Sequence, residues 1–236
     1  MFPSLFTTWI CFADNGNKRS MINKYQYLRP VFPDLDVGMV SRWLSICTKT
    51  HLAECNHSEP TNFQNVFPGL LVLQFIDLEQ KCIIETTTIP RYATLSYVWG
   101  LIPHFRLTNT NKQDMLAPGS IQRVWRLIPR SIRDAIELVH RLEIRYLWVD
   151  AICLVQDDEE DKQRGIDIMD EVYERSWLTI IAVCGHDANA GLPGLHDLSR
   201  EMSRTTVEVK RGTSLGIVTD MVKLLERSVY YSRAWT

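Results

Sequence analysis

No apolar run in this 236-residue chain approaches the roughly 20 residues that a membrane-spanning helix needs. The apolar stretch Trp9 to Ala13 lacks a positively charged segment before it, so a secretory signal is not expected. Charge of one sign is also missing. The net charge is −2, with Lys and Arg scattered, which leaves no basic footprint for nucleic acid and no polybasic patch for a membrane surface. The six cysteines, Cys11, Cys47, Cys55, Cys82, Cys153 and Cys184, have no framework spacing and read as reduced thiols of a cytoplasmic protein. There is no GxGxxG, no Walker phosphate loop, no HExxH and no CxxC. Ser96 has Gly100 four residues on, so the nucleophile-elbow spacing fails. No internal repeat or low-complexity segment is present.

What is there is ordinary globular sequence, 45% hydrophobic and 23% charged, long enough for one substantial domain. Residues 1–36 carry turn signals (Asp14 to Asn17, Pro30, Pro33) and are expected to be irregular. Asp36 can cap a helix with Val37, Val40, Leu44 and Cys47 at helical spacing. Leu70 to Ile76 and Lys81 to Thr87, parted by the polar Asp77 to Gln80, predict a hairpin, so residues 37–91 read as a helix plus β-hairpin extension. From residue 92 the order is strand (Tyr92 to Trp99), long loop (101–128), helix, strand (Tyr146 to Val155), helix, strand (Trp177 to Val183). Ser131 and Asp134 stand in capping-box positions before the stripe Ile132, Ala135, Ile136, Val139 and Leu142. Ile166, Met169, Val172, Tyr173 and Ser176 fall on one helix face. A strand over Thr205 to Lys210 and a helix over Asp220 to Arg227 follow. The alternation argues for an α/β fold in three layers, a mainly parallel sheet flanked by helices. Ligands of such sheets gather at the carboxyl ends of the strands, here the loops after Trp99, Val155 and Val183.

Three groups of residues could carry chemistry. Cys47, His51 and Cys55 lie at steps of four, with His57 nearby. They are either part of a metal site, which needs about four such ligands, or a helix face packed on the hairpin. Cys153 with His140 or His186 is either a thiol and its base or a core cysteine. Asp150 sits among Trp148, Val149, Ala151 and Ile152, where an unpaired carboxylate would cost several kcal/mol. It either accepts backbone N–H groups from a neighbouring loop or is a site carboxylate beside Gln156 and Asp157, and it is the candidate catalytic group.

Tyr92-Ala93-Thr94-Leu95-Ser96-Tyr97-Val98-Trp99-Gly100 resembles the opening motif of the fungal HET (heterokaryon incompatibility) domain. So do Ile128 to Ala135 and the block Arg145 to Asp157, while Met169 to Tyr173, Thr179 to Ala182 and Gly191 to Gly194 fit later blocks. Upstream, Arg42-Trp43-Leu44 with Cys47, His51 and Cys55 resembles the leader often found before such domains. The resemblance implies a HET domain over 92–236 and a role in fungal non-self recognition and programmed cell death. It marks Ser96, Tyr97, Trp99, Gly100, Asp150, Cys153, Gln156, Asp157, Arg233 and Trp235 as motif or cleft residues, and implies protein partners or self-association. Tyr231 to Thr236 resembles the closing motif, which in the family continues to Gln-Glu, so the domain is expected to be incomplete here. HET domains are remotely similar to TIR domains, some of which cleave NAD, which makes a TIR-like or flavodoxin-like fold and NAD as substrate further implications. The missing glutamate would stand where the TIR carboxylate does, and this chain is then expected to be inactive or to use Asp150.

Overall fold

A computed structural model describes residues 8–13, 27–28, 33–51, 62–196, 206–210, 213–219 and 225–232. The chain divides into two compact units, residues 1–35 with 193–236, and residues 36–192. The smaller unit holds β1 (Thr8–Ala13) and β2 (Tyr27–Leu28), which pair in parallel. Residues 8–13 lie in the stretch expected to be irregular, yet β1 pairs antiparallel with β9 (Thr213–Thr219) along its whole length. That partner is some 200 residues distant, and such pairing leaves no mark on local sequence. β8 (Thr206–Lys210) completes the order β2-β1-β9-β8 and matches the strand expected there. Most of the helix expected over 220–227, like Cys55, His57, Arg233 and Trp235, falls outside the described residues.

The larger unit begins with α1 (Val37–Thr50), whose N-cap Asp36 accepts a hydrogen bond from the Met39 N–H, as read from the sequence. A short α2 (Phe63–Val66) leads to the hairpin β3 (Leu73–Asp77) and β4 (Cys82–Thr86). Then come β5 (Tyr92–Tyr97), α3 (Lys112–Met115), α4 (Ser120–Arg123) and α5 (Arg130–Arg141). The rest is β6 (Tyr146–Trp148), α6 (Asp150–Cys153), α7 (Glu159–Asp167), α8 (Met169–Glu174) and β7 (Leu178–Ala182).

These strands form one five-stranded sheet in the order β4-β3-β6-β5-β7. β5 pairs in parallel with β6 on one side and β7 on the other, while β3 meets both β4 and β6 antiparallel. The sheet is therefore mixed rather than mainly parallel, because the hairpin joins it instead of standing apart. The joint is Asp77, 0% exposed. Its Oδ1 accepts the N–H groups of Glu79 and Gln80 at 2.9 and 3.1 Å, which closes the hairpin turn. Its Oδ2 accepts Nη2 and Nε of Arg145 at 2.7 and 3.1 Å, and Arg145 leads into β6. Burial pushes the carboxyl up, but these donors outweigh burial and hold it below the usual carboxylate range.

The core sits on this sheet. Trp148, Tyr92, Phe75 and Leu95 are fully buried, and Ile132, Ala135, Leu138 and Val139 of α5 bury one stripe of that helix. The Tyr92 hydroxyl donates to the Val172 carbonyl at 2.6 Å, and Trp148 meets Tyr173 edge-on, so α8 packs over β5 and β6. The expected single face through Ile166 and Val172 is broken. The helix is interrupted at Ile168, which turns Ile166 outward to 50% exposure while Ile168 and Val172 stay buried. The strand expected through Val155 also ends early, at Trp148. Ala151, Ile152 and Cys153 are buried from a helical turn instead, since a short apolar run suits either conformation. Among the described residues no helix is long and apolar enough to cross a membrane.

Candidate functional site

The three parallel strands end on one edge of the sheet, and the loops leaving them meet there. Past β5, the Trp99 indole N–H donates to Oδ2 of Asp150 at 3.0 Å. Asp150 is the first residue of α6, a position where a carboxylate is favoured by the helix dipole, and its Oδ1 accepts the Ala151 N–H at 2.7 Å. The Gln156 amide donates to the carbonyls of Asp150 and Leu154 at 2.9 and 3.1 Å and so closes the turn beneath it. Leu107 strings the long loop onto this turn, donating to Ala151 and accepting from Gln156. Asp157 accepts the Asn109 N–H at 2.7 Å.

The same loop brings two groups to Trp99 that the sequence did not single out. The Arg106 guanidinium lies 4.9 Å over the indole ring, a cation–π distance. The His104 ring meets it edge-on at 5.3 Å. Burial holds His104 below the ordinary imidazole range; the Ile102 carbonyl on Nδ1 pulls the other way and the nearby Arg106 charge pushes it down further. Its Nε2 is buried without a hydrogen-bond partner among the described residues. Nothing local in Ile102 to Arg106 marks a site; only the return of the loop to Trp99 reveals them.

From β7 the chain runs into a strap, residues 185–192, which closes the edge. The Ala188 N–H donates to the Trp99 carbonyl at 3.2 Å. Gly100, at φ +68°, lies so close to the strap that a Cβ there would collide with the Asp187 side chain and come within 2.9 Å of its Cα. The start of α5 holds the strap from the other side. The Ser131 N–H donates to the Ala188 carbonyl at 2.9 Å, and the Gly191 N–H donates to Ser131 Oγ at 3.1 Å. The Leu192 N–H donates to the buried carboxylate of Asp134 at 2.7 Å. Ser131 and Asp134 are thus not the capping box expected of them. Pro129 is the N-cap, and both side chains turn away from the helix end to the strap's backbone.

The other expected residues divide clearly. Ser96 is half-buried and Tyr97 buried on β5. Cys153 is buried with its sulfur on backbone groups, accepting from Val149 N–H at 3.4 Å and donating to the Leu147 carbonyl at 3.8 Å. Burial pushes that thiol up to about 12, so it is not poised as a nucleophile near neutral pH. Cys47 Sγ lies 3.6 Å from Nδ1 of His51 on α1. Among the described residues no group of three or more His, Cys, Asp or Glu side chains could hold a metal ion.

The arrangement is that of an α/β module in which the loops of the parallel strands gather at one edge of the sheet around an aromatic–carboxylate pair. Residues 92–236 match the family described as heterokaryon incompatibility protein (HET), and the chain belongs to that family. It is similar to heterokaryon incompatibility protein 6, OR allele, of Neurospora crassa, with 26% identity over 135 residues. That match covers 51% of this chain and 19% of the Neurospora protein, so the chain corresponds to a small part of that relative's length. No solved structure matches it.

Proposed function

We propose that this chain serves fungal heterokaryon incompatibility as a cytoplasmic module of non-self recognition and programmed cell death. The observation that carries the reading is the Trp99–Asp150 joint. Two separated family motifs, 92–100 and 145–157, meet there in one hydrogen bond, within the stretch that the family match covers. The relative's name supplies the biological setting. Its partners are proteins rather than nucleic acid or membrane. Expression of the chain in fungal hyphae tests this: growth arrest and death are expected, and normal growth at a verified folded level would refute it.

A second reading is favoured by Asp150 itself. β6 and β7 flank β5 on opposite sides, and right-handed crossovers leaving in opposite directions carry their helices to opposite faces of the sheet. That supports a three-layer, TIR-like or flavodoxin-like core with Asp150 at the carboxyl edge. A carboxylate so placed can stabilise the oxocarbenium-like state of N-glycosidic cleavage, which makes NAD a candidate substrate. Nicotinamide release from NAD by the purified chain, lost in Asp150→Asn, is the expected result on this reading. No release would leave the non-enzymatic signalling module.

A further inference from the structure

Charge in the larger unit is segregated although the whole chain is nearly neutral at −2. Residues 98–133 carry six Arg or Lys against Asp114 alone, whereas residues 157–174 carry nine Asp or Glu against Lys162 and Arg164. Much of the positive charge is already engaged. Lys112 pairs with Glu85 at 2.8 Å, Arg130 with Asp134 at 3.8 Å, and Arg123 donates to the Asp114 carbonyl at 3.0 Å. Arg106 and Arg126 are exposed and form no ion pair among the described residues. The Phe105 N–H donates to the Leu127 carbonyl at 3.1 Å, which sets both arginines beside one joint of the loop. Leu127 is 64% exposed there, and Leu101 is fully exposed two residues past Trp99.

The acidic counterpart has the same composition with the sign reversed. The Glu159 and Glu160 side chains on α7 are 83% and 89% exposed, and Ile166, about two turns further along the same helix, is 50% exposed. Together with Gln163, Arg164 and Asp167, these glutamates line an open depression of about 370 Å³. Among the described residues their cations are Lys162 and Arg164 on the same helix, in exposed pairs of little worth that are readily exchanged. Each surface thus joins exposed leucine or isoleucine to a net charge of one sign, and among the described residues neither meets more than weak, exposed partners of the other sign.

We propose that two copies of this chain associate by docking the Arg106/Arg126 loop, with Leu101 and Leu127, onto the acidic depression of α7. Both halves of the contact lie on this chain, so the occupant that complementarity selects is a second copy rather than an acidic peptide. The contact names a partner for the signalling reading and rests on it, but its test is a measurement in solution that does not depend on cell death.

Sedimentation velocity on the purified chain is the test. The wild type should gain mass with concentration at about 50 mM salt and lose the association near about 0.5 M, where screening falls within about 4 Å. Arg106→Glu/Arg126→Glu and Glu159→Lys/Glu160→Lys should each associate at least about tenfold more weakly. Mixing the two variants should restore association, because each then meets its complement on the other. Unfolded variants could not be rescued in this way. A wild type that stays monomeric to about 100 μM, or a mixture as weak as its components, would overturn the proposal. Binding of the wild type only to anionic lipid vesicles through Arg106 and Arg126 would also overturn it.

Discussion

Asp77 and Asp150 both interrupt apolar sequence beside the same sheet, and the structure uses them differently. At the hairpin end Asp77 is 0% exposed, and both its oxygens are taken, by two turn N–H groups and the Arg145 fork. At the opposite edge Asp150 is half-buried, fastened on one side by its neighbour's N–H and on the other by a tryptophan that reaches out of the next loop. Asp77 is consumed by the fold. Asp150 is held in place but open to solvent, in company with Arg106 and His104 around Trp99. A carboxylate in an apolar run therefore says that partners exist; only the kind of partner separates a joint from a site.

The largest expected effect is at the joint. Asp77→Ala removes four donors' acceptor and should cost about 3 kcal/mol in a urea unfolding measurement. If Asp150→Ala cost as much, the contrast between the two acids would collapse. Gly100→Ala should cost about 2 kcal/mol, because positive φ and the collision with Asp187 force the strap away from Trp99. A neutral result would mean that the strap does not hold this edge. Asp150→Asn should cost only about 1 kcal/mol or less while abolishing the hyphal response.

Acid sharpens the same comparison. Asp77 has its folded pKa depressed below 3.8, so its stabilisation is complete above that value and is lost as pH falls through the folded pKa. Stability measured downward from about pH 5 should fall more steeply in the wild type than in Asp77→Ala. Identical slopes would show that Asp77 carries no linkage. The smallest effect concerns thiols: exposed Cys184 should react with iodoacetamide in the native chain, whereas Cys153 should react only on unfolding. Fast native labelling of Cys153 would reopen its reading as a nucleophile.

Much of the larger unit was legible because its signals are local. The cap at Asp36, the hairpin around Asp77 to Gln80, β5, and the edge where the strand-end loops gather all follow from spacing and turn chemistry. The pairing of Asp150 was half legible: its environment demanded a partner, but Trp99 as that partner depends on a contact spanning 51 residues. The roles of Ser131 and Asp134 misled because a capping box and a strap anchor share the same residue types; only the Gly191 and Leu192 N–H groups decide between them. β1 and the mixed sheet were illegible for a related reason, since strand partners far apart in the chain leave no local trace.

The most direct test of the account is the hyphal response to Asp150→Asn compared with wild type, at matched folded levels confirmed by urea unfolding of the purified chains. The expected outcome is that the variant folds almost as stably as wild type and yet no longer arrests growth. A folded variant that still kills would contradict it, and would return Asp150 to the same structural class as Asp77.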